Sequence, residues 1–290
     1  MEQAGNALTQ VIAHESSLGS WTLQMLDFHS ALRGIVTHIW FADGKVAYGR
    51  DRILPRASSF LLINLGPPQY MIVAGKREAR VPFGDIWFSG IGDMPIDTEA
   101  PFGSRIVGVA FTEIGAAAFL RIPQHLVANR TGSFEDLVGA DARRLHQRLL
   151  NTPDSVDCLR LTESFLLGRI ASGFNVHPLV NWAARLIATS SGRLRTGHLV
   201  RESGISRKHL SRLFREHVGL LPTTLARIHR FQNALQSVAT RGPVDWSEVA
   251  LDAGYYDQPH MVNEFRELSG LTPLQLARCA RPDANSVVLW

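Results

Sequence analysis

Two short runs of this chain carry side chains suited to reading the edges of base pairs. Lys208, Ser211 and Arg212 lie three and four residues apart in the first. Gln258, His260 and Asn263 stand near the start of the second. A guanidinium can donate twice to guanine O6 and N7, and a carboxamide can pair with adenine N6 and N7. Arg215 and Arg266 lie a turn further on and suit phosphate oxygens, which position a protein without reading sequence. Arg207 adds a cation at the head of the first run. Ser206, beside it, suits either a DNA contact or a helix N-cap, and Asp257 suits an N-cap. The plain alternative for the other residues is a solvated helix face. For His209 and His260, which repeat, it is a structural hydrogen bond.

Such residues are useful only if rigid elements hold them. HLSRLFREHVGLLP (209–222) and HMVNEFRELSGLTP (260–273) align without a gap at an offset of 51 residues. The coincidences in this alignment indicate an internal duplication. Leu210, Leu213, Phe214 and Val218 share one helical face, as do Met261, Phe265 and Leu268. Gly219 and Gly270 suit the left-handed residue that ends a helix, and Pro222 and Pro273 suit the first turn of the next. Upstream, Val200 precedes Gly204 by four residues, as Ala250 precedes Gly254. A small or β-branched residue there lets two helices cross closely, and the glycine opens a tight turn, as in a helix-turn-helix. The second copy has one extra residue between turn and helix. Helices are expected at 178–190, 196–203, 206–218, 222–239, 245–253, 258–269 and 273–280. The linker helix at 222–239 would be about 27 Å long, so with its turns it approaches the roughly 34 Å repeat of the duplex. Two such units related by duplication predict an asymmetric DNA site.

The rest of the chain has another texture. GIVTHIWFA (34–42), SFLLINL (59–65), QYMIVAG (69–75), DIWFSGI (85–91) and SRIVGVAF (104–111) are short, β-branched and aromatic, separated by Gly, Pro and Asp. They predict a sandwich or barrel. After Phe111, the runs 112–121, 141–151 and 154–170 carry helical periodicity. The fold class is therefore α+β: an N-terminal β-sandwich or cupin-like barrel with a helical extension, then an all-α domain of two tandem helix-turn-helix motifs. The expected divisions are 1–112 for the β-rich regulatory or effector-binding domain and 113–175 for a helical linker and possible dimerisation region. A DNA-binding domain at 176–281 and a tail at 282–290 follow. Trp21, Trp40, Trp87 and Phe88 are read as sandwich core, with an effector pocket as the alternative. Arg56, Arg80 and Arg105 flank strands and are read as surface charges, with an anionic ligand as the alternative.

Composition narrows the function. The chain has 290 residues, 45% of them hydrophobic, enough to bury cores in about two domains. Residues 178–281 hold 14 Lys and Arg against 8 Asp and Glu, whereas 1–177 hold 16 against 17. The basic third is the one expected to meet nucleic acid. Cys158 and Cys279 have no metal-ligand spacing and read as reduced thiols of a cytoplasmic protein. The N-terminus lacks the pattern of a signal peptide, and no apolar run would span a membrane. His29, His38 and His125 are isolated, with no H-x-H, so neither a metal-using barrel enzyme nor any cofactor is expected. A DNA-alkylation repair adaptor would need a metal-held cysteine cluster. An architectural binder of low specificity remains as the alternative.

The module resembles the DNA-binding region of AraC/XylS-type bacterial transcriptional regulators. The resemblance rests on the A-x-x-x-G-Y-x-D pattern from Ala250, the His before an apolar residue, Phe265-Arg266, Gly270-x-Thr272-Pro273, and Arg230-x-x-x-Ala234 in the linker helix. Asn263 stands where the family usually has Arg or Lys, and Leu225 where it often has Tyr. The resemblance implies a sequence-specific regulator bound to double-stranded DNA, with an N-terminal domain for a small-molecule effector or a homodimer and with RNA polymerase as a further partner. The stretches ILPRASSFLLINLG and GVAFTEIGAAAFL carry a weaker likeness to the N-terminal region of one subgroup.

Overall fold

A computed structural model describes residues 8–73, 78–170, 176–240 and 245–289. Among the described residues, ten strands come first: β1 (Leu8–Ser16), β2 (Gly19–Leu26), β3 (Val36–Val46), β4 (Arg50–Ile53), β5 (Phe60–Asn64), β6 (Gln69–Val73), β7 (Ala79–Phe83), β8 (Ile86–Ser89), β9 (Ile96–Glu99) and β10 (Ser104–Phe111). Then come α1 (Gly115–Leu120), β11 (Thr131–Ser133), α2 (Glu135–Val138), α3 (Ala140–Leu150) and α4 (Ser155–Ile170). Among the described residues, seven strands form one antiparallel sheet in the order β1-β2-β3-β10-β5-β8-β11. Five form a second, β12-β4-β9-β6-β7, whose edge strand β12 (Ser286–Leu289) comes from the far side of the helical module.

Alternation builds the larger sheet. One face carries Ile39 and Phe41 of β3, Val107, Val109 and Phe111 of β10, Leu61 and Ile63 of β5, and Ile86 and Phe88 of β8, all buried. Phe119 of α1 and Leu145, Leu149, Leu159 and Leu166 of α3 and α4 pack on that face. Phe111 stacks on Phe119 at 4.9 Å, and Phe119 on Phe134 at 5.7 Å. Phe88 is thus a core residue. Trp40 and Trp87 point to the opposite face, and neither belongs to the packed core. The Trp40 ring lies flat on Gly108, where a Cβ would come within 2.1 Å of it. Trp21 stacks on His14 at 3.8 Å.

The smaller sheet is held by charge. Arg50 bridges Glu78 and Glu99, Arg80 meets Glu99 at 2.8 Å, and Arg52 grips Asp97 at 2.7 Å. Arg80 also lies 3.7 Å over the Tyr70 ring. Arg105 donates to the Pro153 carbonyl at 2.8 Å. The strands β4 (RDRI) and β9 (IDTE) are nearly all charged or polar, so hydrophobic alternation could not reveal them. The segment expected as a tail contains β12, and the helical extension contains β11, which pairs with β8. The expected break at 172–178 lies largely outside the described residues.

The helical module follows as α5 (Pro178–Thr189), α6 (Thr196–Ser203), α7 (Arg207–His217), α8 (Pro222–Thr240), α9 (Trp246–Ala253), α10 (Gln258–Ser269) and α11 (Pro273–Arg278). It packs against the β domain at several points. Ala57, Ile91, Ile114 and Ala128 join the core of the first motif, while Leu54 and Val287 join that of the second. Gln232 donates to the Pro55 carbonyl at 2.5 Å, and His229 lies 3.1 Å from Glu113. Cys158 is fully buried on α4, and Cys279 ends α11; burial raises the pKa of both thiols. No described helix is long and apolar enough to cross a membrane.

Asp51 of β4 lies on the face opposite Arg52. Burial pushes its carboxyl up to about 6, although the Thr98 hydroxyl donates to it at 2.5 Å. A raised carboxyl favours the fold while protonated. Its contribution is present below the ordinary carboxylate range and is lost as pH rises through 6. Asp51→Asn should therefore gain stability over the native chain as pH climbs from 4 to 8, by on the order of 2 kcal/mol. Paired thermal melts at both pH values check this; a difference that does not vary with pH would show Asp51 to be solvated.

Candidate nucleic-acid interface

Each motif is assembled from local signals. α6 ends at Gly204, whose φ of 68° is left-handed. Ser206 then caps α7, its hydroxyl accepting from the His209 backbone N–H at 3.2 Å. In the second motif Gly254, with φ 85°, ends α9. Asp257 caps α10, accepting from the His260 N–H at 2.8 Å. Each cap is worth about 1 kcal/mol and sets where the second helix of its motif begins. Ser206, a candidate contact, therefore has its hydroxyl engaged in a cap.

The apolar stripes lie where the repeat places them. Leu210, Leu213, Phe214 and Val218 are buried with Val180, Ala183, Ile187 and Leu199. Met261, Phe265 and Leu268 are buried with Val249, Ala250 and Ala253. α8 serves both cores. Leu225 and Ile228 enter the first, and Phe231, Ala234 and Leu235 enter the second. Thr272 and Gln275 form a reciprocal capping box at the start of α11.

The other faces stay open. Arg207, Lys208, Arg212 and Arg215 on α7 are exposed, as are Gln258, His260, Asn263 and Arg266 on α10; Ser206 is exposed and Ser211 half-buried. All of these candidates but Ser211 are therefore accessible, although α7 packs against the turn at Gln124–Leu126. Arg212 makes a loose i,i+4 pair with Glu216 at 3.6 Å, in a setting where such pairs hold little energy. His260 is partly structural: its Nδ1 accepts from the Tyr256 N–H at 3.4 Å, and its ring meets Tyr255 edge-on.

A buried carboxylate locks the two motifs. Glu264 of α10 accepts from Arg227 Nε and Arg230 Nη2 of α8, each at 3.0 Å, and Arg227 also pairs with Glu267. Beside this network a cleft of about 650 Å³ opens between the motifs. Arg193, Arg195, Arg207, His260 and Asn263 are among the residues that line it, with Glu264 and Glu267. The starts of α7 and α10 thus border one cleft. Arg193 and Arg195 were not among the sequence candidates. Their signal was the short basic run RLR just ahead of α6. Among the described residues, no group of three or more His, Cys, Asp or Glu is placed to hold a metal ion.

Residues 199–278 match the family described as "Helix-turn-helix domain". The chain carries an AraC/XylS-type helix-turn-helix domain. No curated protein sequence matches it. Among solved structures it is similar to ToxT from Vibrio cholerae O395, at 10% identity over 79% of this chain and 93% of that one, with a TM-score of 0.44. It is also similar to ToxT from V. cholerae strain SCE256 with an unsaturated fatty acid bound, at 11% identity over 79% and 91%, TM-score 0.45. A third is the xylose-binding transcription activator xylR, at 17% identity over 52% and 40%, TM-score 0.31. At these TM-scores the likenesses carry no inference about site or ligand.

Two measurements test this helix-turn-helix domain. Arg212→Ala should cost about 1–3 kcal/mol in binding a preferred duplex, read by fluorescence anisotropy at fixed salt. Unchanged affinity would remove Arg212 from the interface. Glu264→Ala leaves two half-buried guanidinium groups without their shared partner and should lower unfolding stability by about 3 kcal/mol in denaturant titration. A loss under about 0.5 kcal/mol would show that packing alone sets the spacing of α7 and α10.

Proposed function

We propose that the chain is a sequence-specific transcriptional regulator that lays α7 and α10 into two successive major-groove segments on one side of a duplex. The observation that carries this reading is the cleft bordered by the starts of α7 and α10, lined by Arg193, Arg195 and Arg207 together with His260 and Asn263. Lys208, Ser211, Arg212, Gln258, His260 and Asn263 then read base edges, while Arg207, Arg215 and Arg266 hold phosphates. The division runs at 176–281 for DNA binding, 1–112 for effector response and 113–175 for a helical linker. The outward faces of α3 and α4 are the proposed contact with a second copy; a chain that sediments as a monomer at micromolar concentration would argue against it. The β domain sets DNA occupancy or polymerase contact when it takes up a small molecule.

Because the two motifs are related by duplication and not by a dyad, sequences selected from a random duplex pool should be asymmetric and span about two helical turns. A consensus that is palindromic within those two turns would contradict one chain placing both helices. Selection with no consensus, together with competition by scrambled DNA at equal strength and fixed salt, would instead support a low-specificity architectural binder.

A further inference from the structure

A helix can enter a groove of the duplex, but a cleft can only receive a ridge, and the ridge of a duplex is a phosphodiester strand. The cleft between α7 and α10 is lined by five arginines, Arg193, Arg195, Arg207, Arg227 and Arg230, against the two carboxylates of Glu264 and Glu267. Both carboxylates are taken up by α8. Arg227 and Arg230 each meet Glu264 at 3.0 Å, and Arg227 also meets Glu267. Among the described residues, Arg193, Arg195 and Arg207 pair with no carboxylate, and all three are exposed. They are the unneutralised charge of the cleft. Arg207 begins α7, whereas the other two belong to the loop between α5 and α6.

That loop is pinned to both motifs. Gly192, with φ 72°, lies so close to α8 that a Cβ would come within 2.0 Å of the Ala226 carbonyl oxygen. Arg230 Nη1 donates to the Gly192 carbonyl at 3.4 Å, and the Leu194 N–H donates to the Ser190 hydroxyl at 3.3 Å. Leu194 packs on the core of the first motif. Arg193 reaches the second: its Cγ fills the space beside Gly254, where a Cβ would come within 2.3 Å of it. The two guanidinium groups do little for the fold. Among the described residues Arg193 engages one donor, its Nε, on the Ser190 carbonyl at 3.3 Å. Arg195 stands at the N-cap of α6 without capping it, since a guanidinium has no acceptor to offer the helix N–H groups.

We propose that Arg193 and Arg195 grip the phosphodiester strand that crosses this cleft, beside the minor groove lying between the two major-groove segments entered by α7 and α10. This rests on the DNA-binding reading above and adds to it a central backbone contact made by a loop. The planar donors of a guanidinium suit phosphate oxygens, and no carboxylate competes for these two. Such a contact reads no base. It holds the duplex against the middle of the module, so that both helices reach their grooves in one register. Its contribution is the same for every sequence and weakens as salt rises.

The test uses the full chain on a preferred and a scrambled duplex across a salt series, read by fluorescence anisotropy. Arg193→Gln with Arg195→Gln should weaken binding to both duplexes by the same factor, about tenfold, and should lower the slope of log affinity against log salt by about 2. Its selected consensus and its thermal melt should match those of the native chain. Arg193→Lys with Arg195→Lys should keep the native slope. Arg33→Gln with Lys45→Gln, both exposed on the β domain, removes the same charge and should leave the slope unchanged. Neutral methylphosphonate linkages beside the central minor groove locate the grip: they should weaken the native chain and leave the glutamine pair as it was. The proposal is overturned if the glutamine pair keeps the native slope, or if the β-domain pair lowers it as much. It is also overturned if the central base preference changes, or if the neutral linkages weaken both proteins equally. A chain that selects a sequence while its glutamine pair keeps the native slope loses only this grip. A chain without sequence preference whose slope falls in the glutamine pair loses the regulator reading and keeps the grip, and one that binds no duplex loses both.

Discussion

The helix α8 gives apolar side chains to two cores at once, and the geometry of the nucleic-acid face follows from that sharing. Its first half, through Leu225 and Ile228, completes the motif around α7. Its second half, through Phe231, Ala234 and Leu235, completes the motif around α10. Neither motif can rotate about the helix without emptying its own core, and a vacated large apolar site costs about 2–5 kcal/mol. Glu264 adds direction to this non-directional packing. A carboxylate that is nearly inaccessible must keep both Arg227 and Arg230, which fixes α10 in rotation as well as in distance. The open faces of α7 and α10 are thus held by contacts that lie away from those faces.

The helical module was legible in the sequence because each of its boundaries is set locally. Glycines with positive φ stand at 204, 219, 254 and 270, prolines open α8 and α11, and Ser206, Asp257 and Thr272 cap the helices they precede. The duplication made each signal appear twice. In the β domain the signals were non-local. β4 and β9 are strands because Arg52 and Arg50 find Asp97 and Glu99 across the sheet, a pairing that no window of neighbouring residues contains. β12 takes its place only because the edge of β4 is open to it.

The candidate contacts divide along the same line. Arg212, Lys208 and Asn263 could be placed from helical spacing alone, since exposure on an amphipathic helix follows from the stripe opposite. Arg193 and Arg195 escaped notice because the loop that brings them to the cleft has no periodicity to read. Ser206 and His260 turned out to have structural engagements as well, one with the α7 backbone and one with the turn before α10. Arg56 flanks a strand in sequence, which suggested a surface charge. The fold instead lays it against Phe60 and shields its Nε.

The pairing of β12 with β4 bears on the order in which the chain can mature during synthesis. The two strands lie on either side of the whole helical module, so the ribosome emits α5 to α11 before the smaller sheet can gain its edge strand. Until then β4 presents unpaired amides and carbonyls, a template for adventitious strand addition. Because Val287 fills a place among α8, α9 and α10, the same late event also seals the second motif. A nascent chain of this protein would therefore acquire its complete sheet and its complete DNA-binding core together, in one closing step.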